Sequence, residues 1–184
     1  MNLFFLHHDP KICAMYHCDK HVIKMLLEVV QMLYTAHILH KTINLPPDHY
    51  KISFQKHPTS IWIRTHVNNY IFASQLAVHL AEEYTHRYGK IHSCERHARW
   101  LKDNIPECKE IKYADTVTLS FFDERYTPVP LCMPDDCKIT SNDTYFTIMC
   151  YRIYYNRYKK YFAKWKKRYE PYWFYTQKSI TEIA

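Results

Sequence analysis

The stretch from residue 17 to residue 35 constrains this chain more than any other. Its polar residues, His17, His21, Lys24, Glu28, Gln31 and Thr35, recur every three or four positions. At about 100° per residue they fall within an arc of roughly 80° on a helix. Nearly all of the remaining circumference is apolar: Val22, Ile23, Met25, Leu26, Leu27, Val29, Val30, Met32, Leu33 and Tyr34. A surface helix shows the opposite, an apolar stripe on a polar rod. This helix therefore belongs in a core, and its narrow polar file must meet solvent or line a cleft, because burying such groups without partners costs several kcal/mol.

The file collects reactive types. Glu28 and Lys24 stand one turn apart, with His21 one turn before the lysine, a set able to move protons or form a Schiff base. The plain alternative is a thin solvent-facing edge on which Lys24 and Glu28 form an ordinary i,i+4 ion pair. His17 and His21 also have the spacing of two metal ligands, with His7, His8 or Asp9 as a third. In a chain with 13 histidines such pairs arise by chance, and no Glu follows His17. No metal and no cofactor are expected.

Around this helix the sequence predicts a mainly α, single-domain helical bundle with one long proline-rich excursion. The 184 residues, 47% of them hydrophobic, suit one domain with a real core. Leu3 to Leu6 reads as a short extended start. Asp9-Pro10 reads as an N-cap and first-turn proline opening a helix over about 10–40, with a break at Cys18-Asp19 left open. His57-Pro58 opens a second helix that stops at the single glycine, Gly89. Within it Trp62, Tyr70, Ala73, Ala77, Leu80 and Tyr84 recur at core spacing, while Arg64, Asn69, Glu83 and Arg87 read mostly as a solvated face. Ser93 caps a third helix to about Asn104. Residues 105–142, with Pro106, Pro128, Pro130 and Pro134, read as irregular, with weak strand character at 116–122. Asn142 or Asp143 then caps a basic, aromatic helix over 143–170, ending before Pro171.

One glycine also excludes every phosphate cradle made from glycine-rich turns, and with it the P-loop and dinucleotide-binding classes. The seven cysteines include no Cys-x-x-Cys pair, so neither a zinc ribbon nor a disulfide framework is signalled. No signal peptide or membrane-spanning run is evident, and a soluble, intracellular protein without a membrane partner is expected.

The charge is local. Of the net +7, residues 144–169 carry eight basic side chains and no acid: Arg152, Arg157, Lys159, Lys160, Lys164, Lys166, Lys167 and Arg168. Tyr151, Tyr154, Tyr155, Tyr158, Tyr161 and Trp165 are interleaved with them, a mixture that neutralises phosphates and stacks on bases. Duplex DNA, damaged or modified, is the expected partner, with Arg64, Arg87, Arg152, Tyr155, Lys159, Lys160 and Trp165 as contacts. The competing reading is a helix whose rings enter the core while its lysines solvate the outer face.

Several runs carry a resemblance. Asn2-Leu3-Phe4, Asp9-Pro10, Cys18-Asp19-Lys20-His21-Val22-Ile23-Lys24-Met25, Glu28, Gln31-Met32-Leu33, His57-Pro58-x-x-x-Trp62, Glu83-Tyr84-x-x-Arg87-Tyr88-Gly89-Lys90-x-His92 and Tyr151-Arg152-x-Tyr154-Tyr155 resemble a group of short proteins of tailed phages and large DNA viruses. More faintly, Asp19-x-His21 with Glu28 is similar to the catalytic helix of the pyrimidine-dimer DNA glycosylase/AP lyases of the phage endonuclease V type. That resemblance implies a DNA glycosylase/lyase acting on damaged or modified pyrimidines, with an amine attacking C1′ and Glu28 handling protons. In that family the amine is a chain-terminal one on a small residue, whereas Asn2 is bulky, so either the Met1 amine or Lys24 would serve, or the chemistry differs. Leu27 stands where the family has arginine. Two rivals remain: a non-catalytic viral nucleic-acid or nucleotide binding module, and a pyrimidine nucleotide-processing enzyme.

Overall fold

The computed structural model describes residues 2–108, 126–139 and 145–175. Among these residues the protein is mainly α: α1 (Pro10–Tyr16), α2 (Asp19–Leu39), α3 (Pro58–Thr65), α4 (Val67–Tyr88), α5 (Glu95–Asp103) and α6 (Tyr145–Tyr158), with one 3₁₀ turn at Asp135–Cys137. α4 packs on α1, α2, α3 and α5, and α2 packs on α3, α4 and α5. α2 is long and apolar enough to cross a membrane by length and composition, but most of it is buried inside the protein, as a core helix is.

The local signals for helix ends act as their chemistry dictates. Asp9 Oδ1 accepts hydrogen bonds from the N–H groups of Lys11 (2.8 Å) and Ile12 (3.1 Å), with Pro10 in the first turn. Gly89 closes α4 in the left-handed region at φ 65°, where a side chain would be strained. His57 accepts from Thr59 N–H and Pro58 starts α3.

The break left open near Cys18-Asp19 is present, and three other helix boundaries differ from expectation. The first helix breaks at His17 and Cys18, both extended, so His17, the first member of the polar file, ends α1 and the rest of the file lies on α2. The second breaks at His66, a single extended residue (φ −137°, ψ 146°). Neither glycine nor proline marks that break; Asn69 sustains it by donating to the carbonyl of Trp62 at 2.8 Å. The last helix ends at Tyr158 instead of continuing to 170. Beyond it the chain folds back without helix, and the carbonyl of Lys164 accepts the N–H of Asp19 (2.8 Å), one of the orphan donors at the start of α2. α5 begins at Glu95, after Cys94 instead of Ser93. The proposed strand at 116–122 and the caps at Asn142 and Asp143 lie outside the described residues.

Two further features fix the frame. The N-terminal segment Leu3 to Leu6, read as extended from its sequence, is buried and without regular structure, with Phe4 in the left-handed region at φ 46°. The supposed solvated face of α4 is interior: Asn69, Glu83 and Arg87 are all buried. Arg87, with no exposed surface, donates to Glu83 Oε1 (2.7 Å), Asp19 Oδ1 (2.9 Å) and the carbonyl of Met15 (3.0 Å). Arg168 completes the cluster with a two-pronged bond to Glu83 at 3.0 and 2.9 Å. Removing one member of a buried charge set strands the others, at about 3–5 kcal/mol. Arg87→Met is therefore expected to lower the stability read by urea denaturation by that amount. Arg168→Met, whose loss leaves Glu83 still paired with Arg87, should cost clearly less.

Candidate functional site

The kink at residues 17–18 leaves His17 at the end of α1 and the other members of the polar file, His21, Lys24, Glu28, Gln31 and Thr35, on α2. The first two members turn inward. His17 is fully buried, with Nδ1 2.8 Å from the carbonyl of Cys13. His21 is buried with Nδ1 2.5 Å from the Tyr155 hydroxyl, and its ring stacks on Phe4 at 4.3 Å between centroids. Burial holds both imidazoles in the neutral form, lowering the pKa of His17 to about 4 and that of His21 further. His21 is thus a core histidine locked to Tyr155 and no mobile proton relay.

Lys24 and Glu28 emerge, whereas Thr35 at the far end of the file is buried. Lys24 is exposed and Glu28 half-buried, with Ile23 and Leu27 exposed beside them. Burial raises the Glu28 pKa above the usual carboxylate value, against the opposing pull of the Asn2 N–H and the Lys24 ammonium. Asn2 N–H points at Glu28 Oε2 from 3.4 Å. Asn2 itself is anchored: its side-chain amide donates to the carbonyl of Cys132 (2.6 Å), and its Oδ1 accepts from Leu3 N–H (2.9 Å). Met1 lies outside the described residues. Thr59, at 3.5 Å from Cys132 Sγ, continues the wall from α3.

The nominated nucleic-acid contacts separate sharply. Arg87 is consumed by the buried ion cluster. Arg152 is buried, its guanidinium donating to the carbonyl of Leu6 (3.3 and 3.1 Å) and to the Tyr172 hydroxyl (3.1 Å) and lying over Trp173. Tyr155 is fully buried against His21, and Trp165 is buried with its indole N–H on the carbonyl of Tyr16 (3.0 Å). These four build the fold and are not placed to grip a ligand. Arg64 is half-buried on α3, where it donates to Ser60 Oγ at 3.3 Å.

Lys159 and Lys160, half-exposed, remain at the surface. Lys159 Nζ sits 4.4 Å from the centre of the Tyr154 ring, which stacks on Phe4. Lys20, exposed on the first turn of α2, lies 4.8 Å over Phe162. Sequence reasoning missed Lys20 because it lies off the file, and missed the openness of Tyr161, 85% exposed, because every ring in the segment looks alike in sequence.

Among the described residues no three His, Cys, Asp or Glu side chains converge to hold a metal ion. No family model, no characterised protein and no solved structure matches the chain.

The buried imidazoles set a pH limit. Burial depresses the pKa of His17 and that of His37 to about 4 from the ordinary imidazole value of 6.5. The unfolded chain therefore binds more protons than the folded one between those values. Each histidine's contribution is complete above pH 6.5 and is lost as pH falls toward 4, at about 1.4 kcal/mol per pH unit. The urea midpoint should fall steeply from pH 6.5 to pH 4.5. A flat profile over that range would contradict the neutral, buried placement.

Proposed function

We propose that the protein is a nucleic-acid-acting enzyme of the glycosylase/AP lyase type, with Glu28 as its acid/base. The observation that carries the reading is the half-buried Glu28 carboxyl with a raised pKa, facing Asn2 N–H at 3.4 Å. A carboxyl of raised pKa keeps a larger protonated share near neutrality, which general-acid work requires. Lys24 lies one turn before Glu28 on α2, and either its Nζ or the Met1 α-amine supplies the nucleophile in this reading.

In the reaction a neutral amine attacks C1′ of a damaged or modified pyrimidine nucleotide. The glycosidic C–N bond breaks, and the base leaves with its electron pair and a proton from Glu28. Opening of the sugar ring, with protonation of the ring oxygen and loss of the amine proton, gives the imine. The Glu28 carboxylate then removes a C2′ proton, the C3′–O bond breaks, and the 3′ phosphate departs. Water hydrolyses the imine and restores the amine. Lys20, Lys24, Lys159 and Lys160 supply attraction to the phosphate backbone. The likeness to phage endonuclease V type enzymes rests on Asp19, His21 and Glu28, and two of these have structural duties here: Asp19 bonds Arg87 and His21 bonds Tyr155. Glu28 alone retains the chemical role.

Borohydride reduction tests the reading. The protein is incubated with duplexes holding an abasic site or a pyrimidine dimer, reduced, and weighed intact. A covalent adduct is expected, reduced at least tenfold in Glu28→Gln and mapping to Met1 or Lys24. Salt-sensitive DNA binding without any adduct would remove the lyase chemistry and leave a binding module.

A further inference from the structure

We infer that the face carrying Lys20, Lys24, Tyr154, Lys159, Tyr161 and Phe162 takes a single-stranded stretch of nucleic acid rather than an intact duplex. The inference rests on the nucleic-acid part of the reading above and names the form of the polymer.

The helices at this face are poorly equipped to read a groove. A groove-reading helix presents free arginines and amides to base edges. On α6 Arg152 is buried and Arg157 is paired with the carboxylate and carbonyl of Asp136. Tyr158 is tied to the same Asp136 carboxylate at 2.9 Å. What the face offers instead is rings and ammonium groups at side-chain distance from one another. Lys159 lies by Tyr154, and Lys20 lies over Phe162. Tyr161 packs edge-on against Phe162 at 4.9 Å with its own ring open to solvent. Phe162 in turn meets the His21 ring, itself stacked on Phe4. Open rings accept unstacked bases, and neighbouring ammonium groups accept the phosphates between them, which is how single strands are held without sequence preference. Bases in an intact duplex are stacked on each other and present no free face to such rings. Lys24 extends the cationic surface along α2 toward Glu28, so a single strand on this face runs toward the acid/base centre.

The test is fluorescence anisotropy with labelled oligo-dT of about a dozen nucleotides against an undamaged hairpin duplex of matched length, the size range held by small single-strand sites. Oligo-dT should bind at least tenfold more tightly than the duplex. Tyr161→Ala, at an exposed position, should weaken oligo-dT binding about tenfold, as loss of one stacked base does, and leave the salt slope unchanged. Lys159→Gln with Lys160→Gln should flatten the slope of log K against log salt by about 1.4, two phosphates' worth. Equal or tighter duplex binding, or no effect of Tyr161→Ala, overturns the inference. The two proposals fail separately: an adduct without single-strand preference overturns this one alone, and single-strand binding without an adduct overturns the lyase chemistry alone.

Discussion

Arg87 is the residue on which the remaining structure depends. A guanidinium without solvent contact is tolerable only when every direction it points in holds an acceptor, and Arg87 finds Glu83 on its own helix, Asp19 at the start of α2 and the carbonyl of Met15 in α1. Glu83 and Asp19 in turn hold the chain beyond α6, through Arg168 and the N–H of Lys166. Two carboxylates and two guanidiniums thus join three helices to a segment that has no regular structure. Such clusters contribute little net stability compared with a well-packed apolar substitute, and their effect is geometric. Here the geometry fixed is the angle between α1 and α2, and with it the break between His17 at the end of α1 and the helix that carries His21, Lys24 and Glu28.

The N-terminal segment transmits that geometry to the surface. Phe4 has φ 46°, a left-handed conformation unfavourable for a bulky residue, and it persists because the surroundings over-determine it. One face of its ring meets His21, Tyr154 stacks near parallel at 5.8 Å, and Tyr155 meets it edge-on. On one side of this aromatic column are the fully buried rings, and on the other are Tyr154 and Lys159. Two residues upstream, Asn2 is pinned by Cys132 and faces Glu28. The same short segment therefore orders both the ring surface and the surroundings of the carboxyl, which is why the two belong to one functional reading.

Much of this was legible in the sequence, and the limits are physical. The α class, the Asp9-Pro10 start, the Gly89 stop and the interior character of residues 19–39 follow from local rules of capping and periodicity. The emergence of Glu28 and Lys24 from an otherwise apolar helix was legible for the same reason. The kinks at His17–Cys18 and His66 were not, or only as an open alternative, because what sustains them is distant: Lys164 and Arg87 for the first, Asn69 and its bond to Thr127 for the second. The burial of Arg87, Arg152, Tyr155 and Trp165 escaped for a related reason. An arginine whose partners lie dozens of residues away, as Asp19 lies from Arg87 and Leu6 from Arg152, is indistinguishable in sequence from one that waits for a phosphate.

The basic segment shows how that ambiguity resolves. Its eight cations divide by type. The three arginines are engaged within the protein, Arg152 on Leu6 and Tyr172, Arg157 on Asp136, and Arg168 on Glu83. The five lysines stay at or near the surface. The division follows from the side chains: a planar fork with five fixed donors suits closed, directional partners, whereas an ammonium on a flexible stem is a strongly hydrated point charge. Arginine is also the residue that reads guanine by its two acceptors, so a surface left to lysine and tyrosine attracts nucleic acid without reading its sequence. In the proposed reading, selectivity at such a surface falls to whether bases are free to stack and to the chemistry at Glu28.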